Sequence, residues 1–165
     1  MYQSIQGFIT EYQNESEYTQ KTLSSLTDAS LKQEIAPGFR TLGTLAWHLV
    51  PKGGILTSTG LRFEAPPEHS EAPDSAAEIA KAYSSTSAAL IEAVQSQWTD
   101  EKLQESVTMF GQQWKNGFTL GIFLKHEIHH RGQLTILMRQ AGLPVIGIYG
   151  PSKEEWISMG MEAPV

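Results

Sequence analysis

The sequence predicts an all-α fold, a four-helix bundle with a proline-rich crossover and a short C-terminal helix, and three observations carry that expectation. Apolar residues recur at helical spacing along four long segments. Capping residues and glycine-proline stops bracket several of those segments. Strand signals are almost absent. At 165 residues and 40% hydrophobic, the chain is long enough to close one core without staples, and residues 1–165 are read as a single domain.

The first helix is expected from about Ser4 to Leu26, with Ile5, Phe8, Ile9, Tyr12, Leu23 and Leu26 on one face and a more polar middle. The second starts near Thr41, after Pro37 and Gly38, and carries Leu42, Leu45, Leu49, Ile55 and Leu56 past Pro51, where a kink is expected. A proline-rich crossover from Ala65 to Ser75 follows; it is too short to divide two domains. The third helix opens on Ser75 and Glu78, spaced as a capping box, and places Ile79, Tyr83, Leu90 and Val94 on one stripe. Between Trp98 and Gly117 the periodicity dissolves, which suggests a structured loop or a small hairpin. The fourth helix, Phe118 to Ala141, stops at Gly142 with Pro144 behind it. A short last helix begins at Ser152, whose partner Glu155 makes a second capping box.

Composition removes several classes of function. With no cysteine, the chain has no disulfide framework, thiolate metal site or cysteine nucleophile. A net charge of −6 with only 12 Lys and Arg argues against nucleic acid as a partner. No segment approaches the roughly 20 apolar residues of a membrane span, and the N-terminus lacks the pattern of a signal peptide, so a cytoplasmic protein is expected.

The chemistry lies in the fourth helix, in the run from Lys125 to Leu134 that holds three of the five histidines. At about 100° per residue, His126 and His130 lie about 40° apart on the stripe shared with Phe123, Leu134 and Leu137, which is read as facing the core. His129 falls on the flank. Two imidazoles one turn apart converge on one ion, but a stable site wants a third ligand. His48 is the best candidate, because it shares a face with Leu45 and Ile55; His69 sits in the crossover with no such argument. A single inward histidine is more often a hydrogen-bonded core residue. Three of them need partners, and a divalent metal provides one for each.

The pair Trp47-His48, the run His126-Glu127-Ile128-His129-His130-Arg131-Gly132-Gln133-Leu134, and Ile148-Tyr149-Gly150-Pro151-Ser152 resemble the DinB/YfiT-like family of metal-dependent enzymes, over nearly the whole chain. The resemblance implies an antiparallel four-helix bundle, a homodimer, and a metal site, often nickel or zinc, with His48, His126 and His130 as ligands. It further implies thiol-dependent S-transferases or isomerases that use a low-molecular-weight thiol as cosubstrate, or metal-dependent hydrolases, acting on a small-molecule substrate. The family label refers to damage-inducible proteins.

Three neutral imidazoles would leave a divalent ion its full charge and an open position, the arrangement of catalytic zinc, where a bound water or thiol loses its proton near neutral pH. Glu127 and His129 are adjacent candidates for proton transfer. Against this, Glu127 is spaced to pair with Arg131 one turn on, and His129 to make a flank contact. Arg131 and Gln133 are read as packing or dimer-surface residues, Gly132 as permitting close helix approach, and Trp47 and Trp114 as core or pocket mouth. Ile122, Leu124 and Ile128 are expected on the outer side of the fourth helix, needing cover from the loop or a second chain. The rival to an enzyme is a non-catalytic dimeric module for metal binding or stress response.

Overall fold

The computed structural model describes residues 1–164. Four helices make the bundle: α1 (Ile5–Ser24), α2 (Leu42–Leu49), α4 (Ala76–Gln97) and α5 (Asn116–Gln140), with short α3 (Ile55–Ser58) and α6 (Lys153–Ser158) outside it. Helix α1 packs on α4 and α5, and α2 on α5 and α4.

Local chemistry sets the helix ends. Ser4, Thr41 and Ser75 each accept a backbone N–H from three residues on, capping α1, α2 and α4. At Ser75 the expected reciprocal bond from Glu78 is missing; Asp28 instead reaches across to accept from the Ala76 N–H at 2.8 Å. Ser152 and Glu155 do form a full capping box, and the Glu155 carboxylate also holds the Gly147 N–H. Helix α5 ends as expected, with Gly142 at φ +76° and the Leu143 N–H returning to the Met138 carbonyl.

The second helix is broken rather than kinked. Val50, ahead of Pro51, takes an extended conformation (ψ 122°), and Gly53 and Gly54 turn at positive φ before α3 starts. The region between Trp98 and Gly117 resolves into a 3-10 turn and a hairpin of β1 (Ser106–Met109) and β2 (Gln112–Lys115), paired antiparallel with Met109 opposite Gln112. Its two turn residues, Phe110 and Gly111, both have positive φ, as a tight two-residue hairpin demands.

Apolar burial falls into two clusters. One joins Leu23, Leu42, Leu45, Ile79, Tyr83, Leu134 and Met138; the other joins Phe8, Ile9, Tyr12, Leu90, Leu120 and Leu124. Between their positions along α1 and α5 lies a belt of buried polar residues, Glu15 and Thr19 facing Glu127 and Arg131. That belt is why the middle of α1 is polar in sequence. Leu124, expected on the outer side, is 2% exposed and belongs to the second cluster, while Ile122 and Ile128 are half-buried. No helix among the described residues is long and apolar enough to cross a membrane.

Candidate metal centre

His48 stands in the last turn of α2, and His126 and His130 on successive turns of α5, so the packing of α2 on α5 sets the distance between them. Their Nε2 atoms converge. His126 Nε2 lies 3.3 Å from His48 Nε2 and 3.1 Å from His130 Nε2, and donor atoms of all three fall within 4.8 Å of one another. Two ligands at about 2.0–2.1 Å in tetrahedral geometry stand about 3.3 Å apart, so His126 stands from each of the other two at the separation of paired ligands on one divalent transition metal.

The tautomer fits as well. An amide oxygen can only accept, so Gln133 Oε1, 2.6 Å from His130 Nδ1, accepts a hydrogen bond from Nδ1–H, which keeps the proton on Nδ1 and leaves the Nε2 lone pair free to coordinate. The same amide donates from Nε2 to His129 Nε2 at 3.2 Å. Burial, the largest cause, pushes the His48 imidazole down to about 4, helped by the Arg40 guanidinium and the other two histidines. Partial desolvation among the packed rings, followed at His126 by the neighbouring His130, likewise lowers His126 and His130, with Gln133 partly offsetting the effect at His130. All three are therefore neutral, ligand-competent imidazoles at pH 7.

Several expectations need correction. The histidine stripe does not face the core: His126 is solvent-exposed, and His48 and His130 are half-buried at the rim of the bundle. The inward positions of α5 are Leu120, Leu124, Glu127, Arg131 and Leu134. Glu127 makes no ion pair with Arg131. It is 2% exposed, and its Oε1 accepts from Thr19 Oγ1 at 2.7 Å and from the Tyr83 hydroxyl, tying α5 to α1 and α4. Its Oε2 has no hydrogen-bond partner, and burial raises its pKa. Arg131 is not a surface residue but 1% exposed; its guanidinium pairs with Glu15 at 2.5 Å and donates to Thr19 Oγ1 and to the Tyr149 hydroxyl. Tyr149 in turn donates to Glu15 at 2.7 Å, which gives the Ile148–Ser152 run a structural role. Gly132 meets nothing within 4 Å at its Cβ position, so it serves no approach within the chain. His129 is exposed, outside the ligand set, and touches the cluster through Gln133 and an edge-on contact of its ring with His130 at 5.1 Å.

The chain matches the family model described as DinB family over residues 1–162. The chain belongs to the DinB family. It is 52% identical to the uncharacterized protein YrdA of Bacillus subtilis (strain 168) over 165 residues, 99% of each chain. A DinB-like protein from Bacillus cereus ATCC 10987, known from a crystal structure, superposes with a TM-score of 0.85 at 49% identity, covering 90% of this chain and 100% of that one. The DinB-like protein YjoA from Bacillus subtilis shares the fold at a TM-score of 0.65 and 21% identity, over 84% of this chain and 95% of that one.

In this DinB-family chain His48 and His126 open onto a cavity of about 490 Å³, within the range of small-molecule sites. His48, His126 and Glu127 line one part of it, and Ile55, Ile122, Phe123, Phe110 and Trp114 the rest. Trp114 thus stands at a pocket, as one expectation had it, whereas Trp47 is core, donating its indole N–H to the Ser70 carbonyl at 2.9 Å and so pinning the crossover. His69 lines the cavity from that crossover but lies outside the histidine cluster. Lys52 Nζ, lowered to about 8 by burial, donates to the Trp47 carbonyl at 2.6 Å. Sequence reasoning missed Gln133 as a histidine partner, although its spacing of three from His130 was a usable signal.

Proposed function

We propose that this protein is a metal-dependent enzyme in which His48, His126 and His130 hold one divalent ion, nickel or zinc, and that it transfers a low-molecular-weight thiol to a small electrophile. The observation that supports the reading is the convergence of three neutral imidazole Nε2 atoms, with two of the rings, His48 and His126, lining a 490 Å³ cavity. A divalent ion bound there supplies Lewis-acid activation of a thiol or water, which a chain without cysteine cannot draw from its own thiols. The protein's part is positional. Gln133 orients His130, the α2–α5 contact sets the ligand spacing, and the cavity holds the electrophile beside the cluster and limits its solvation. In the net reaction RSH and R′X give RSR′ and HX: the S–C bond forms, the C–X bond breaks with its electron pair on X, and the proton lost from the thiol ends on X.

The test uses the untagged chain, first analysed for metal and then incubated with generic electrophiles, with and without bacterial low-molecular-weight thiols, products being followed by mass spectrometry. The reading expects about one metal per chain and a thiol-dependent conjugate that disappears on chelation or in His126→Ala. Product formed without thiol would make the enzyme a hydrolase. A fully metallated chain that yields neither product across a broad panel would leave a non-catalytic metal-binding module.

A further inference from the structure

We propose that the cavity beside the histidines takes an organic molecule whose planar, aromatic group lies against Phe110 and Trp114, and that Phe110 determines this specificity. The inference rests on the preceding reading only for the polar head of the molecule, which meets the histidines; the aromatic subsite stands on observations of its own.

Phe110 is the one non-glycine residue at positive φ among the described residues, with φ 50°. Cβ sterics make that conformation costly, and tight hairpins ordinarily place Asn, Asp or Gly there. Burial does not offset the cost, because Phe110 is 79% exposed. A bulky aromatic that suits neither the turn nor the core marks a place where local rules yield to another requirement. Its ring meets Trp114 at 5.7 Å, and Trp114 meets Phe118 edge-on at 5.0 Å, so the hairpin tip is braced against the first turn of α5. Both Phe110 and Trp114 line the cavity that also holds His48 and His126. Apolar Ile55, Ile122 and Phe123 fill the wall between. Of the lining acidic and basic side chains, Lys52 and Glu68 are opposite in sign, Glu127 lies at the histidine end with its carboxyl held by Thr19 and Tyr83, and the Lys52 ammonium is already engaged by the Trp47 carbonyl and ring. The end of the cavity at Phe110 and Trp114 therefore offers an aromatic slot, away from the histidines at the other end.

The experiment compares benzohydroxamate with acetohydroxamate on the cobalt-loaded chain, read by cobalt visible absorption, alongside anilinonaphthalene sulfonate fluorescence on the metal-free chain. Benzohydroxamate should bind about tenfold tighter than acetohydroxamate, the gain that burial of a phenyl group brings. Phe110→Gly should reduce that preference about fivefold. The same variant should melt no lower than the native protein, since glycine suits the turn; a purely structural Phe110 would lower the melting temperature instead. Equal affinities for the two hydroxamates, or a preference unchanged in Phe110→Gly, would overturn the inference. If neither hydroxamate perturbs the cobalt spectrum, the open metal position is wrong, and the subsite is judged by the fluorescent probe alone. Binding of that probe weakened about fivefold in Phe110→Gly supports the subsite; equal binding sinks it.

Discussion

A histidine's spacing in a sequence says which turn it occupies, but not which of its nitrogens is free. For His130 that is decided by Gln133, which accepts a hydrogen bond from Nδ1–H and so aims Nε2 at the cluster. Gln133→Leu should weaken metal binding about tenfold in chelator competition, and Gln133→Glu, which keeps an acceptor, should largely restore it. An affinity unchanged by Gln133→Leu would remove the orienting role. Acid sensitivity follows from the same residues. The folded imidazoles have pKa values lowered below the ordinary 6.5, to about 4 at His48. As pH falls through about 6.5 the unfolded chain takes up protons that the folded chain refuses, so the unfolded state is favoured. The metal-free protein should lose melting temperature from about pH 6.5 down toward pH 4, and bound metal should resist proton competition below 6.5. A melting temperature flat across that range would show that the histidines titrate as in free solution. The triple itself was legible, because His126 and His130 are one turn apart and His48 sits in a helix of its own. The reason offered for it was not sound: the histidines occupy the rim, and the buried polar residues are their neighbours Glu127 and Arg131.

At the level of elements, helix ends were readable and helix-to-helix partners were not. Ser152 with Glu155 and the Gly142 stop are local chemistry, complete within a few residues. Arg131 finds Glu15 across 116 residues, and Glu127 finds Thr19 across 108, so no local pattern announces either contact. Helical spacing pointed instead to a Glu127–Arg131 pair that the fold rejects in favour of stitching α5 to α1 and α4. The second helix failed as one element because Pro51 and two glycines at positive φ act together, where the proline alone suggested a kink. The polar belt is expected to be costly to break from one side. Arg131→Met leaves the Glu15 carboxylate buried and unpaired, and should cost about 3–5 kcal/mol in denaturant unfolding. Adding Glu15→Leu should recover part of that loss, since an apolar pair of similar volume tolerates burial better than a lone charge. A double variant less stable than Arg131→Met would show that Glu15 has other duties at least as large.

For the whole molecule, the proposed state is a homodimer, and the structure moves the surface on which that proposal rests. Leu124 is removed from it by burial, and Ile122 faces the cavity. Helix α5 still carries half-buried Ile128, Gly132 with open space around its Cβ position, and Ile136 at 54% exposure, at successive intervals of four residues. Successive positions of that spacing form one outward ridge. A glycine in mid-helix costs about 1 kcal/mol relative to alanine, and nothing within the chain uses its smallness. A second α5 crossing at Gly132, with the isoleucines on either side, would use it and would cover the apolar surface in a two-fold contact. Light scattering at micromolar concentration should therefore give twice 18.2 kDa, or 36.4 kDa. Ile136→Asp should shift the protein to the monomer mass without loss of helical circular dichroism, because the residue is more than half exposed and belongs to neither core cluster. A native protein that runs only at 18.2 kDa would end the proposal, and a dimer indifferent to Ile136→Asp would place the interface on another face.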